Sequence, residues 1–266
     1  MMTKPAGARS SIMSEIIDKI HRMKHFFIFF AFTLSAALAQ PDKYHELALE
    51  GMAQGHNLQI EKAEEIFNSM IALEPNHPLG CLALALTNLY GHQFEKNQEA
   101  FEQKFKDYTE TAIKLARKNL SSQSRPVEAL FHLGVGHVFW AFYHGERNNL
   151  LRALWYGKQG LDCLEQVVAS DTSYYDAYLG IGAFHHEKKN YVEAIATFNK
   201  ILALKNLEEK GIAPRAHFNL GNCHREMGDM QKAEAEYEIA YQYDDGWLRL
   251  QIDKAREKAG GKFLQN

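Results

Sequence analysis

Histidine is the residue of this chain best suited to chemistry, with 13 in 266 residues. Three of them, His137, His185 and His224, each follow a glycine by three positions, and such a row of imidazoles would suit a metal site or a proton relay. Zinc–nitrogen bonds are about 2.0–2.1 Å long, whereas equivalent positions on successive packed helices lie about 8–10 Å apart. We therefore expect these histidines to pack between helices and predict no metal site.

The three cysteines, Cys81, Cys163 and Cys223, are widely spaced and form no C-x-x-C pair. That spacing indicates neither a zinc site nor a thioredoxin-type motif. Each lies among leucine, alanine and glycine, so we interpret all three as small buried apolar residues. One disulfide, formed in an oxidising compartment, is the alternative.

Motifs of common catalytic and nucleotide-binding sites do not occur in the sequence. It contains no Walker loop, no HExxH, no GxSxG and no GxGxxG after a strand pattern. The acidic residues Glu61, Glu64 and Glu65 stand at a helix start beside Lys62, which is typical of a solvated helix face. We predict no catalytic residue and no cofactor.

Composition places the chain among soluble globular proteins, with 46% hydrophobic and 24% charged residues. Alanines far outnumber valines and threonines, and this balance favours helices over sheets. The formal net charge of −3 and the absence of a long basic run argue against a nucleic-acid partner.

The first 39 residues have the pattern of a secretory signal peptide. A basic patch at 21–25 precedes the apolar run Phe26–Ala39, which ends in the small-x-small site Ala37-Leu38-Ala39. A membrane anchor is the alternative, but the run has 14 residues and a membrane span needs about 20. We expect export, to the periplasm in a Gram-negative source and otherwise by secretion, with no stable membrane span after cleavage. Translation that starts at Met23 would give the signal its usual length.

The remainder of the chain, residues 40–266, repeats a two-helix pattern and is predicted to form one domain. Segments 129–135, 177–183 and 216–222 share an alanine followed by an aromatic or leucine and a glycine. In the unit 214–247, Gly221 is followed by Ala233 and Tyr237. The units that we assign are 44–77, 78–126, 127–174, 175–213 and 214–247, with a polar capping helix at 248–259.

This spacing resembles the tetratricopeptide repeat, a 34-residue helix–turn–helix with glycine at position 8, alanine at 20 and an aromatic at 24. Small residues let the two helices approach closely, and the aromatic residue fills the gap beneath them. The resemblance implies an all-α fold, a right-handed superhelical solenoid of about five antiparallel helix pairs.

The second and third units are longer than the family pattern, with 49 and 48 residues. An addition of two heptads to a hairpin keeps its apolar stripes facing inward, so we predict two elongated repeats. A stripe through Phe101, Phe105, Tyr108, Ala112 and Leu115 places most of the extra length in the second helix of 78–126. A separate inserted helix around 95–104 is the alternative.

The resemblance also implies a concave groove, which would bind a peptide or protein segment without catalysis. Family positions carried over to this chain predict these partner-binding residues: Leu82, Leu86, Phe131, Val135, Phe139, Leu179, His186, Arg215, Phe218, Asn222 and Arg225. The lysine and asparagine that clamp a terminal carboxylate in chaperone-binding relatives are missing. An apolar floor with a charged rim suits an amphipathic helix or an extended apolar peptide.

A second hypothesis uses the aromatic residues of the third unit. A small-molecule or metal-binding pocket between the elongated repeats would be lined by Trp140, Tyr143, His144, Trp155 and Tyr156. Large aromatic residues also fill the ends of long helix pairs, so their presence alone does not select this hypothesis.

Overall fold

The computed structural model describes residues 43–57, 59–94, 98–203, 212–243 and 246–259, and the predicted signal peptide lies outside them. The described residues form eleven α-helices and no strand. In chain order they are α1 (Lys43–His56), α2 (Ile60–Leu73), α3 (Pro78–Phe94), α4 (Gln98–Ser121), α5 (Pro126–Glu146), α6 (Leu150–Ser170), α7 (Tyr175–Glu187), α8 (Tyr191–Leu202), α9 (Ala213–Glu226), α10 (Met230–Tyr241) and α11 (Gly246–Lys258).

Consecutive helices pack as pairs, and the pairs stack into a superhelix, which confirms the predicted solenoid of helix pairs. Three pairs share one contact. A Cβ atom placed on Gly51, Gly182 or Gly221 would lie 2.4–2.5 Å from the ring that follows 16 residues later, that of Phe67, Phe198 or Tyr237. Each glycine therefore lets an aromatic ring lie directly against the backbone of its partner helix.

The two middle pairs have the longest helices. Their members α3, α4, α5 and α6 have 17, 24, 21 and 21 residues, whereas the helices of the other pairs have 12–14. The helix α4 is continuous from Gln98 to Ser121, so residues 98–104 belong to it and form no helix of their own. Despite this length, none of the described helices is apolar enough to cross a membrane.

The superhelix curls until its two ends meet. At the end of α1, His56 Nε2 accepts a hydrogen bond of 2.7 Å from Arg215 Nη2 of α9. A Cβ atom on Gly246, the first residue of α11, would lie 3.7 Å from Asn57 Oδ1. Among the described residues the largest of three hydrophobic clusters extends from Tyr44 to Ala255, and side chains fill the concave side of the solenoid.

Candidate functional site

The apolar residues predicted to form the floor of an open groove lie in the protein interior. Their exposure is between 0 and 7% for the whole set, Leu82, Leu86, Phe131, Val135, Phe139, Leu179 and Phe218. Phe131 packs on Tyr174, with ring centroids 5.1 Å apart, and Phe218 packs on Tyr237 at 5.9 Å. The expectation of a solvent-facing floor is therefore corrected, because the curl of the helix pairs covers these side chains with other parts of the same chain.

Two polar residues of the predicted groove are also buried, and both hold the fold together. Asn222 accepts a hydrogen bond of 2.8 Å from the Tyr237 hydroxyl and donates one of 3.0 Å to the Phe218 carbonyl. Arg215 is 3% exposed and donates to His56. Burial, together with the adjacent charge of Arg215, lowers the pKa of His56, so this imidazole is the neutral acceptor of the pair.

The remaining two predicted residues, His186 and Arg225, are mostly buried, with side chains 15% and 17% exposed. Arg225 Nη2 is 2.8 Å from Glu226 Oε1, and its Nη1 is 3.5 Å from the Ala255 carbonyl oxygen. His186 Nδ1 is 3.6 Å from Glu187 Oε1. These contacts connect both residues to their own helices or to α11.

The aromatic residues of the third pair do come together, as a stack in which each ring contacts another. Trp140, Tyr143, His144, Trp155 and Tyr156 have centroid separations of 4.7–6.1 Å. His137 joins them 5.8 Å from Tyr156. Trp140, Tyr143, His144 and Tyr156 thus fill the space between the helices with one another, as aromatic residues at the ends of long helix pairs commonly do, whereas Trp155 is 55% exposed.

Glu102, which sequence reasoning did not single out, anchors one edge of this stack. Its carboxylate accepts a hydrogen bond of 2.9 Å from the Tyr143 hydroxyl and pairs with Arg147, whose guanidinium lies 3.8 Å from the Tyr143 ring centroid. Burial would raise the pKa of Glu102, but these two partners outweigh it and lower the pKa. These contacts connect α4 to the end of α5. The spacing of residues within either helix could not predict them, because the partners lie in different helices.

The outer face of α6 carries an exposed apolar stripe. Leu151, Leu154 and Trp155 are 83%, 52% and 55% exposed, and their spacing places them on one side of the helix. Arg152 beside them is exposed as well. We call these three apolar residues the α6 stripe. The aromatic pattern predicts Trp155 in a pocket between the elongated repeats, and no sequence signal marks the two leucines as exposed.

Neither the cysteines nor the histidines assemble a reactive centre in the described part of the chain. All three cysteines are free thiols, and burial raises their pKa values to about 11 for Cys81 and Cys163 and about 12 for Cys223. Among the described residues no three His, Cys, Asp or Glu side chains are grouped as metal ligands. His137 is buried, and its pKa falls to about 4 because charging it there would cost solvation.

Comparison with known proteins agrees with this architecture. The tetratricopeptide repeat family profile matches residues 173–244. No curated protein matches the chain. Among solved structures, TTC0263, a thermophilic TPR protein from Thermus thermophilus, superimposes with a TM-score of 0.57 at 18% identity, covering 80% of this chain and 99% of its own.

Two further solved structures are more distant. MamA is 17% identical, with 83% of this chain and 99% of that chain covered at a TM-score of 0.38. A tetratricopeptide repeat protein from Parabacteroides merdae ATCC 43184 is 13% identical, with coverages of 79% and 97% at a TM-score of 0.31.

Proposed function

We propose that this chain, a tetratricopeptide repeat protein, is a non-enzymatic scaffold that binds a segment of a partner protein. The fold is one of protein–protein interaction scaffolds. The observation that carries the proposal is the α6 stripe, because a leucine that is 83% exposed beside a half-exposed leucine and tryptophan is typical of a contact surface.

The α6 stripe serves this function better than the concave side does. Residues such as Phe131 and Leu179 are 4% and 2% exposed, so a peptide could lie along them only after helices had separated. The stripe needs no such rearrangement. Its apolar side chains stand beside the exposed Arg152, and this combination suits an amphipathic segment whose apolar face carries acidic residues at its edge.

The test is crosslinked capture with the full-length chain as bait, in an envelope extract of the source cells. The Leu151→Ser/Trp155→Ser variant removes two of the three apolar side chains of the stripe. The matched control, Leu73→Ser/Val192→Ser, removes two apolar residues that are 51% and 69% exposed on other helices. We expect a partner that is captured by the wild type and the control and lost with the stripe variant. Equal capture by all three proteins, or none above background, would contradict the proposal.

We also propose that the scaffold acts outside the cytoplasm, in the periplasm if the source is Gram-negative. The support is the basic patch at 21–25 followed by the apolar run Phe26–Ala39 and its small-x-small site. Cell fractionation with N-terminal sequencing is the test. A periplasmic or secreted chain that begins at Gln40 supports export, and an uncleaved chain in the cytoplasm refutes it.

A further inference from the structure

A cavity of about 320 Å³ opens where the end of α2 meets the start of α5. Its walls include Glu74, His77, Asn119, Arg125, Glu128 and His132. The volume is at the lower end of the range for small-molecule sites, which suits a small ligand or a single side chain of a larger one. The cavity shares no residue with the α6 stripe and is a separate site.

Three hydrogen bonds orient the polar wall of this cavity. His77 Nδ1 accepts from the Leu79 backbone N–H at 3.2 Å and lies 2.9 Å from the Tyr44 hydroxyl. Because a backbone N–H can only donate, Nδ1 is the acceptor and the imidazole proton sits on Nε2. That Nε2–H donates to Glu128 Oε1 at 2.9 Å. The chain of bonds therefore fixes the Glu128 carboxylate through one oxygen.

The other carboxylate oxygen of Glu128 is more weakly engaged. Oε2 lies 3.7 Å from Arg125 Nη1, and the Arg125 side chain is 62% exposed. Burial would raise the pKa of Glu128, but the hydrogen bond from His77, with a smaller contribution from Arg125, outweighs it and lowers the pKa to about 2. Glu128 thus presents a permanent negative charge, and Glu74 adds a second carboxylate to the wall.

His132 provides a second, independent indication that this cavity holds a ligand. Its side chain is 2% exposed and forms part of the cavity wall, yet its Nδ1 has no hydrogen-bond partner among the described residues. A buried polar atom left without a partner costs free energy, and such atoms often mark a place where a ligand or water completes the bonding. Burial lowers the pKa of His132 to about 3, so the ring is neutral and one ring nitrogen can accept an N–H.

We propose that this cavity binds an organic ammonium group, which donates its N–H bonds to Glu128 Oε2 and to the His132 imidazole. The two carboxylates of the wall outnumber its one guanidinium, that of Arg125, so the wall disfavours an anionic ligand. A metal ion is disfavoured because no three ligating side chains are grouped among the described residues. The ammonium group would come either from a free small amine or from a lysine side chain of a bound peptide.

The first test needs no variant. Binding of n-butylammonium to the full-length protein is followed by calorimetry and by the NMR signals of the histidine rings, beside n-butanol and tetraethylammonium. We expect the primary amine to bind in the millimolar range and the other two, which lack a charge or an N–H, to bind about tenfold more weakly. Equal binding of all three, or no binding of butylammonium, would overturn the proposal.

The second test assigns the site. The substitution Glu128→Gln keeps an acceptor for His77 and removes the charge, and Glu61→Gln makes the same change in the first turn of α2. We expect Glu128→Gln to weaken butylammonium binding about tenfold and Glu61→Gln to leave it unchanged. Equal affinities of the two variants would refute the assignment to this cavity.

The source of the ammonium group is decided with a blocked peptide that contains one lysine and with its norleucine counterpart. Tighter binding of the lysine peptide than of butylammonium would identify a peptide site. Binding of butylammonium alone would identify a site for a free amine. Either result supports ammonium recognition.

Discussion

Single atoms decide how closely the helices of a pair approach. At Gly51, Gly182 and Gly221 the space that a Cβ would need is occupied by the ring of the aromatic residue 16 positions later. The glycine and the ring are thus one packing unit, and a change at either member alters the other. Sequence spacing could predict this contact because both partners lie within one repeat.

The substitution Gly182→Ala tests this unit. Its Cβ would lie 2.5 Å from Phe198 Cε1, and Phe198 is fully buried and has nowhere to move. We expect a loss of about 1–3 kcal/mol in the free energy of unfolding, measured by urea denaturation. The double variant Gly182→Ala/Phe198→Leu should recover part of that loss.

Gly55→Ala is the matched control, since its Cβ would lie 4.0 Å from the nearest atom, the Ala63 Cβ. Alanine has the higher helix propensity, so we expect this variant to be more stable than the wild type by about 0.5–1 kcal/mol. Equal effects of Gly182→Ala and Gly55→Ala would contradict the packing argument.

Protonation of His132 should couple stability to pH. The folded state holds its pKa at about 3, below the ordinary value of 6.5, so between these pH values the unfolded chain binds more protons at this residue. Stability therefore falls as pH falls below about 6.5. Between pH 7.5 and 5 we expect the wild type to lose about 1–2 kcal/mol more than His132→Phe in urea denaturation. Parallel pH profiles of the two proteins would contradict the buried neutral imidazole.

At the scale of elements, one turn geometry recurs between the helices of three successive pairs. Asn148, Lys189 and Gly228 all adopt positive φ, at 58°, 60° and 84°. Each is followed by the N-cap residue of the next helix, and two of these caps, Asn149 and Asp229, accept a hydrogen bond from a backbone N–H. The residue types at this position differ, so the shared geometry is visible only in the structure.

Lys189 is the least suited of the three, because a residue with a Cβ is strained in the left-handed region and lysine lacks the short polar side chain by which asparagine tolerates it. Its side chain is exposed. We expect Lys189→Gly to raise the free energy of unfolding by about 0.5–1 kcal/mol and Gly228→Ala to lower it by a similar amount. Thermal unfolding of both variants is the measurement, and effects of the same sign would be inconsistent with the shared turn.

Helix lengths follow from the apolar stripes that the sequence displays. The stripe from Phe101 to Leu115 lies within α4, and Phe105 and Ala112 on it are 3% and 0% exposed. No sequence pattern indicates the hydrogen bond between Tyr143 of α5 and Glu102 of α4, because the two residues are 41 positions apart and belong to different units.

For the whole molecule, closure of the superhelix decides which predicted residues meet solvent. Contact between His56 and Arg215 joins positions 159 residues apart, and the concave residues become core. The same curl leaves the outer face of α6 exposed. The curvature of the solenoid is therefore the reason that the candidate partner surface lies on its outside and not on its concave side.

The variant Phe131→Glu/Leu179→Glu tests the closed interior. Both side chains are almost fully buried, and an unpaired carboxylate there is costly, so we expect loss of the cooperative thermal transition. The comparison variant Leu151→Glu/Leu154→Glu, on exposed positions, should unfold within a few degrees of the wild type. A folded Phe131→Glu/Leu179→Glu protein, judged by circular dichroism, would show that the concave side is open.

The sequence by itself determined the helical class, the two-helix repeat and the contact between each glycine and its aromatic partner. These features depend on spacings of a few to about twenty residues, which a repeat pattern displays directly. Only the tertiary structure decided that Leu82 and Phe131 are core, that Leu151 is exposed, and that His77, Glu128 and His132 line one cavity. The physical reason is that small rotations between successive pairs add up along the solenoid, and their sum, which determines these long-range contacts, leaves no mark in any single repeat.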